Sequence, residues 1–230
     1  LFSAVTSNGG LAGVAANGYG GGGGGSGGSV RIAGSKVALN GSAVIAAVSL
    51  FASGHQTVGP YLHIGLEWLT TRDIAGKGIK GERVAIAGRL IDGDGNGVND
   101  GLIEIWQANA EGKYAHPEDT QKKPVEKGWR GFGRIPTDAK GGFRFTTIKP
   151  GRVPGPGATP QAPHLVVAVF MRGMLKHLAT RIYFPDEAAA NAEDPILKLV
   201  PAARRATLIP RKKGKALEWD IVLQGKNETV

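Results

Sequence analysis

The stretch Arg83-Val-Ala-Ile-Ala-Gly-Arg-Leu-Ile-Asp92, its continuation Asp92-Gly-Asp-Gly-Asn-Gly97 and the run Leu102-Ile-Glu-Ile-Trp-Gln107 decide the fold class. Val84, Ile86 and Leu90 recur at even spacing, the period that turns alternate side chains of a strand inward. Asp, Asn and Gly between the two runs are turn chemistry, because they tolerate tight local backbone and bond to it. Further runs of strand length are Phe143-Arg-Phe-Thr-Thr-Ile148, Leu165-Val-Val-Ala-Val-Phe170, Ala179-Thr-Arg-Ile-Tyr-Phe184 and Trp219-Asp-Ile-Val-Leu-Gln224. Helix-period stretches are scarce, with one short candidate over residues 185–192. The expectation is an all-β antiparallel sandwich with long Pro/Gly-rich loops. The longest such loop opens Lys149-Pro-Gly-Arg-Val-Pro-Gly-Pro-Gly-Ala158, and a rigid sandwich presents loops of that kind as binding surfaces.

Composition divides the 230 residues in two. Residues 1–59 hold 16 of the 37 glycines but only two charged side chains, Arg31 and Lys36, and the first acid is Glu67. Six consecutive glycines at 20–25 cannot recover their backbone ordering entropy by burial, which predicts a tether. Residues 20–53 are similar to Gly-rich β-solenoid repeats, although fewer than three repeats are visible. Residues 1–54 are therefore expected to be a weakly ordered leader or linker apart from a core domain at 55–230. The apolar run at 43–52 has the outline of a signal-peptide core but lies far from the first residue. The chain begins at Leu1 without Met, as a fragment or processed product would.

The formal charge is +9, and setting aside Arg31 and Lys36 leaves +7 on the remainder, dispersed among acids. That argues against a nucleic-acid tail and suits a small anionic ligand. The cluster Arg204-Arg205…Arg211-Lys212-Lys213…Lys215 lacks interleaved aromatics for base stacking and reads as a solvated hairpin. The chain has no cysteine, which removes disulfides, thiolate metal sites and cysteine nucleophiles. Uncharged apolar runs stay short of a membrane span.

Asp92-x-Asp94-x-Asn96-Gly97 opens like a calcium loop, yet its twelfth position is Ile103, where a bidentate carboxylate is required. It reads as a β-turn. No Gly-x-Ser-x-Gly elbow, phosphate loop or His-Glu-x-x-His pattern occurs. Tyr114 and His116 in Gly112-Lys-Tyr-Ala-His-Pro117, and His164 after Ala162-Pro163, are O and N donors that suit a hard ferric ion, but such residues are more often packed in a core.

Several phrases together resemble one family, the intradiol ring-cleavage dioxygenases. They are Gln56-Thr-Val-Gly-Pro-Tyr-Leu-His-Ile-Gly-Leu66, Leu102-Ile-Glu-Ile-Trp-Gln-Ala-Asn109, Gly112-Lys-Tyr114, Gly131-Phe-Gly-Arg134, Thr147-Ile-Lys-Pro-Gly151, Ala162-Pro-His164, Phe170-Met-Arg-Gly173 and Thr180-Arg-Ile-Tyr-Phe184. The match runs in family order from residue 55 to Val230. The resemblance implies the intradiol β-sandwich and Fe(III) held by two tyrosines and two histidines. Carried over, those four positions are Tyr114, Val153, His164 and Val166. Two are aliphatic, so the expectation is that this chain holds no metal.

The resemblance further implies an alpha-type chain of a hetero-oligomer, with Fe(III) bound by a partner beta chain. The complex is expected to cleave protocatechuate with O2 to 3-carboxy-cis,cis-muconate. This chain would lend substrate-pocket contacts from Thr57, Gly59, Pro60 and Arg172, and carry no catalytic residue alone. Neither nucleic acid nor membrane is an expected partner, and the family's aromatic catabolism implies a cytoplasmic setting. The bland alternative for Arg172 is an ion pair inside its own fold. Two other readings remain: a metal-free scaffold or aromatic-acid-binding module, and a self-sufficient dioxygenase, for which ligands are wanting.

Overall fold

The computed structural model describes residues 67–230 apart from Ala158 and Leu175. Thr57, Gly59, Pro60 and the whole 1–54 segment lie outside the described residues, as does the expected boundary at residue 55.

After a single 3-10 turn at Glu67–Leu69, nine strands follow: β1 Arg83–Ile91, β2 Leu102–Trp106, β3 Phe132–Pro136, β4 Gly142–Ile148, β5 His164–Phe170, β6 Leu178–Tyr183, β7 Arg211–Lys213, β8 Ala216–Glu218 and β9 Ile221–Val222. One six-residue helix, α1 at Ala188–Glu193, and 3-10 turns at Leu197–Leu199 and Ala202–Leu208 lie between β6 and β7. One sheet runs β4-β1-β8-β7 with β9 also on β1, and the other runs β3-β2-β5-β6. The second sheet is antiparallel throughout, whereas β1 takes β8 and β9 in parallel.

Strand alternation builds the core between the sheets. Ile86, Leu90, Phe143 and Phe145 from the first meet Ile103, Ile105, Ile135, Leu165, Val167, Val169 and Ile182 from the second. Trp219 and Ile221 close the same cluster. Burying such side chains contributes roughly 1.5–3 kcal/mol each relative to exposure. With one face of β5 committed to this core, His164, Val166, Ala168 and Phe170 face the other way.

Of the run expected as a strand from Trp219 to Gln224 only β9, Ile221–Val222, is strand, and a separate short strand, β8, precedes the run. β8 and β9 follow β1 in one parallel register, Ala87 opposite Glu218 and Leu90 opposite Ile221, interrupted where the Trp219 carbonyl stands against Gly88: a Cβ there would lie 1.6 Å from its oxygen. The Trp219 amide donates to Ala87 O at 2.9 Å, and the Arg89 amide donates to Asp220 Oδ1.

The Asp92 turn is the β-turn expected. Its Oδ1 accepts from the amides of Asp94 and Asn96, and Gly95 takes φ +88. The basic cluster divides between the 3-10 turn at Ala202–Leu208 and the β7–β8 hairpin, where Lys213 pairs with Glu218 and Arg204 with Glu228.

Candidate functional site

Two long loops cover the outer face of the β3-β2-β5-β6 sheet. Register sets Trp106, Val166 and Arg181 in one row across β2, β5 and β6, with His164 opposite Tyr183 next to it. Residues directly opposite in a ladder share a face. His164, Val166, Arg181 and Tyr183 are therefore brought together on one face by strand pairing alone.

Asn109 shapes the first loop, residues 107–131. Its Oδ1 accepts from the amides of Glu111 and Lys113, and its Nδ2 donates to Pro124 O and Glu126 Oε2. Gly112 at φ +77 passes so close to the second loop that a Cβ would stand 1.9 Å from the Arg152 carbonyl oxygen. That approach is open only to glycine. Two residues on, the Tyr114 amide donates to Asp119 Oδ2 at 2.8 Å. Burial would raise the Asp119 carboxyl, but hydrogen bonds from Tyr114 and Gln121 and the nearby Lys113 charge hold it below the usual range.

The second loop, residues 149–163, lays Val153 beside Tyr114. Ala108, Tyr114 and Val153 form one apolar cluster, with Trp106 and Val166 packed against it. Gln161 is fully buried, its amide donating to Val153 O and its Nε2 to Pro154 O. Asp194, just past α1, is also fully buried. Its carboxylate accepts from the amides of Ala162, Ile196 and Leu197 and from the Tyr183 hydroxyl.

His164 Nδ1 lies 2.8 Å from Ala162 O. A carbonyl can only accept, so Nδ1 carries the proton and Nε2 is left with its lone pair. Burial first, and the Arg181 charge second, push this imidazole down to about 3. Burial also raises the Tyr114 and Tyr183 phenols, while the Arg181 charge opposes the rise in both. The pocket wall is therefore neutral at His164 and Tyr114, with the positive charge residing on Arg181.

The structure gathers all four positions at which the resemblance puts ferric ligands, Tyr114, Val153, His164 and Val166. It does not make them a ferric site. Val153 is 2% exposed and packs against the Tyr114 ring, so the place of a donor is filled by hydrocarbon. One phenol and one imidazole leave a hard trivalent ion short of ligands. Among the described residues no group of three or more His, Cys, Asp or Glu side chains could replace them.

Arg172 is elsewhere. It follows the end of β5 opposite to His164, so the seven-residue strand, roughly 20 Å by its rise per residue, separates them. Its Nε stands 2.7 Å from Asp100 Oδ2, with the Arg172 side chain 80% exposed and that of Asp100 26%. The ion pair exists, but it leaves most of the guanidinium facing outward.

Arg181, Gln161, Tyr183 and Asp194 were not singled out from the sequence. Parity in Thr180-Arg-Ile-Tyr-Phe184 would have placed Arg181 and Tyr183 opposite buried Ile182, and Asp194-Pro195 carries the side-chain-capped turn of an Asp.

A two-sheet sandwich with this loop-covered outer face defines the class. The chain belongs to the dioxygenase family, whose family model, described as Dioxygenase, matches residues 67–225. It is 42% identical over 191 residues to the protocatechuate 3,4-dioxygenase alpha chain of Burkholderia cepacia, covering 76% of this chain and 93% of that one. It is 38% identical over 187 residues to the beta chain of the same organism's enzyme, covering 76% of this chain and 77% of that one. Among solved structures, the intradiol ring-cleavage dioxygenase from Tetranychus urticae superposes with a TM-score of 0.51 at 17% identity, over 69% of this chain and 87% of that one. At that identity the likeness speaks for the fold alone. No helix among the described residues is long and apolar enough to cross a membrane.

Proposed function

We propose that this chain is the alpha, non-metal subunit of an intradiol dioxygenase that cleaves protocatechuate with O2 to 3-carboxy-cis,cis-muconate. Fe(III) is held by a partner beta chain in a hetero-oligomer of alpha–beta pairs. The observation that carries the reading is hydrocarbon at two of the four implied ligand positions: Val153 and Val166 pack with Tyr114 in one apolar cluster. Similarity to relatives named as protocatechuate 3,4-dioxygenase chains, together with the shortage of donors on this one, supports a centre held by another chain.

The bound metal supplies the oxygen chemistry, and this chain's residues bind and orient. Arg172 offers a planar, permanently charged group for an anionic ring substituent, and its exposure leaves it able to reach across a subunit boundary. Thr57, Gly59 and Pro60 belong to the same pocket on the family phrase, and residues 1–54 to a leader apart from it. The setting is cytoplasmic, by analogy with the family's aromatic catabolism.

A second reading, a metal-free scaffold, draws on the Arg172–Asp100 contact, since an arginine with a counter-ion in its own fold need not serve a ligand. Co-expression with an iron-bearing partner chain separates the two. The proposal expects a coloured, active complex whose turnover falls on mutation of Thr57 or Arg172. Full activity in both variants would leave only the scaffold. Stoichiometric iron and ring cleavage in the isolated chain would overturn both.

A further inference from the structure

Arg172 stands in a turn whose two ends are the only methionines of the chain. β5 stops at Phe170 and β6 begins at Leu178. Between them the Met174 amide donates to Met171 O at 3.5 Å, which makes Arg172 and Gly173 the central residues of a four-residue turn. Gly173 has φ +83, as the third position of a type II turn requires. With two methionines and no cysteine, the chain carries all of its sulfur at these two positions. Both methionines line a cavity of about 400 Å³ together with Leu178 and Leu223, where the β5–β6 connection meets the chain leaving β1 and β9. Met171 and Leu223 also pack against the core between the sheets. Leu178 is 45% exposed, so the cavity opens to solvent, and the two methionines are half-buried. A bond of 3.5 Å lies at the limit of hydrogen-bond length and contributes little. The position of the turn therefore rests on how its two flexible thioethers fill the cavity.

We infer that Met171 and Met174 are a modification site for hydroperoxides, and that their oxidation displaces the turn carrying Arg172. A sulfur lone pair attacks one peroxide oxygen. The S–O bond forms, the O–O bond breaks, and the departing oxygen takes up a proton and leaves as water or an alcohol. Sulfur loses the two electrons that the peroxide gains. The sulfoxide is polar and chiral where the thioether was apolar. At Met171 it meets the core, and at Met174 it meets the cavity shared with Leu178 and Leu223, so both side chains are driven toward solvent. Arg172 lies between them and moves with them, because one exposed ion pair to Asp100 is too weak to hold it. The effect on turnover rests on the substrate role proposed above for Arg172, whereas the oxidation itself does not.

The test treats the full chain alone with hydrogen peroxide, removes the oxidant, and then combines the chain with an untreated iron-bearing partner. Peptide mass spectrometry is expected to find sulfoxide at both methionines, and turnover of the assembled pair should fall by about fivefold or more. Methionine sulfoxide reductases acting on the treated chain should remove the sulfoxide and restore turnover together. The variant carrying Met171→Leu and Met174→Leu, swaps of nearly conserved volume, should keep its own starting turnover through the same treatment. Thioethers left intact by peroxide that converts free methionine would overturn the inference. Sulfoxide formation with turnover unchanged would overturn it as well: if Arg172→Ala is slow in the same assay, only the inference falls, and if Arg172→Ala is fully active, the assignment of Arg172 to the pocket falls with it. Should the leucine variant fail to fold, the parent chain decides alone, since a loss of turnover that the reductases do not reverse refutes the inference and a reversible one supports it.

Discussion

The Arg172 guanidinium meets Asp100 at 2.7 Å while remaining 80% exposed, so its one internal counter-ion does not bury it. An ion pair this open contributes only about 0–1 kcal/mol, because water and salt screen it. Arg172→Ala should therefore leave the urea midpoint of the chain nearly unchanged. A charge-assisted hydrogen bond to an anionic ligand is worth roughly 1.5–3 kcal/mol. In the reconstituted complex the same variant is expected to lower kcat/KM by about ten- to a hundredfold. Unchanged steady-state kinetics would remove Arg172 from the pocket.

Gly112 tests how Tyr114 is placed. A Cβ at this position, φ +77, would stand 1.9 Å from Arg152 O, so alanine must force the loops at 107–131 and 149–163 apart as well as adopt left-handed backbone. The second effect alone costs roughly 1–2 kcal/mol. Gly112→Ala should lower stability by more than about 2 kcal/mol in chemical denaturation. Gly157→Ala is the control: it also has positive φ, +66, but a Cβ there meets nothing within 4 Å, so it should cost only the backbone part.

The runs from Arg83, Leu102, Phe143, Leu165 and Ala179 were legible because each buries one face of alternating side chains. β3 was not, since Phe132-Gly-Arg-Ile-Pro136 offers one large inward residue, Ile135, between a glycine and a proline. β7 consists of three exposed basic residues, Arg211–Lys213, so the solvated hairpin expected of the basic cluster is there in its pairing with β8, while no inward side chain marks where the strand begins and ends. At the site, Tyr114 and His164 could be named by chemistry. Arg181 and Asp194 join them through a cross-strand register and a contact between residues 162 and 194, distances in sequence over which composition is silent.

Asp194 is the residue on which the His164 end of β5 depends. Its carboxylate accepts four hydrogen bonds, three from backbone amides on two segments and one from Tyr183. Asp194→Ala leaves those donors buried and unpaired, with an expected cost of about 3–5 kcal/mol. Asp194→Asn keeps one oxygen acceptor and should fall between the parent and alanine. Equal loss in both would point to charge, not hydrogen bonding, as the source of the stabilisation.

The pH dependence follows from two shifts of opposite sign. His164 is held neutral when folded, its imidazole pushed down to about 3 by burial and then by Arg181, whereas an unfolded histidine takes up a proton near 6.5. Below that pH the unfolded chain binds the extra proton, so stability is greatest above 6.5 and declines as pH falls toward 3. Tyr183, raised to about 12 chiefly by burial, acts at the other end. Its unfolded phenol ionises near 10, so its contribution is intact below 10 and is lost as pH climbs through 12. Tyr114 shifts in the same direction. Of the four tyrosines, Tyr114 and Tyr183 should be missing from an ultraviolet titration between pH 9 and 11 and appear only with unfolding. Replacing Tyr114 with Phe should leave the native titration curve in that range unchanged, and a curve that loses amplitude would show that the phenol is open to solvent.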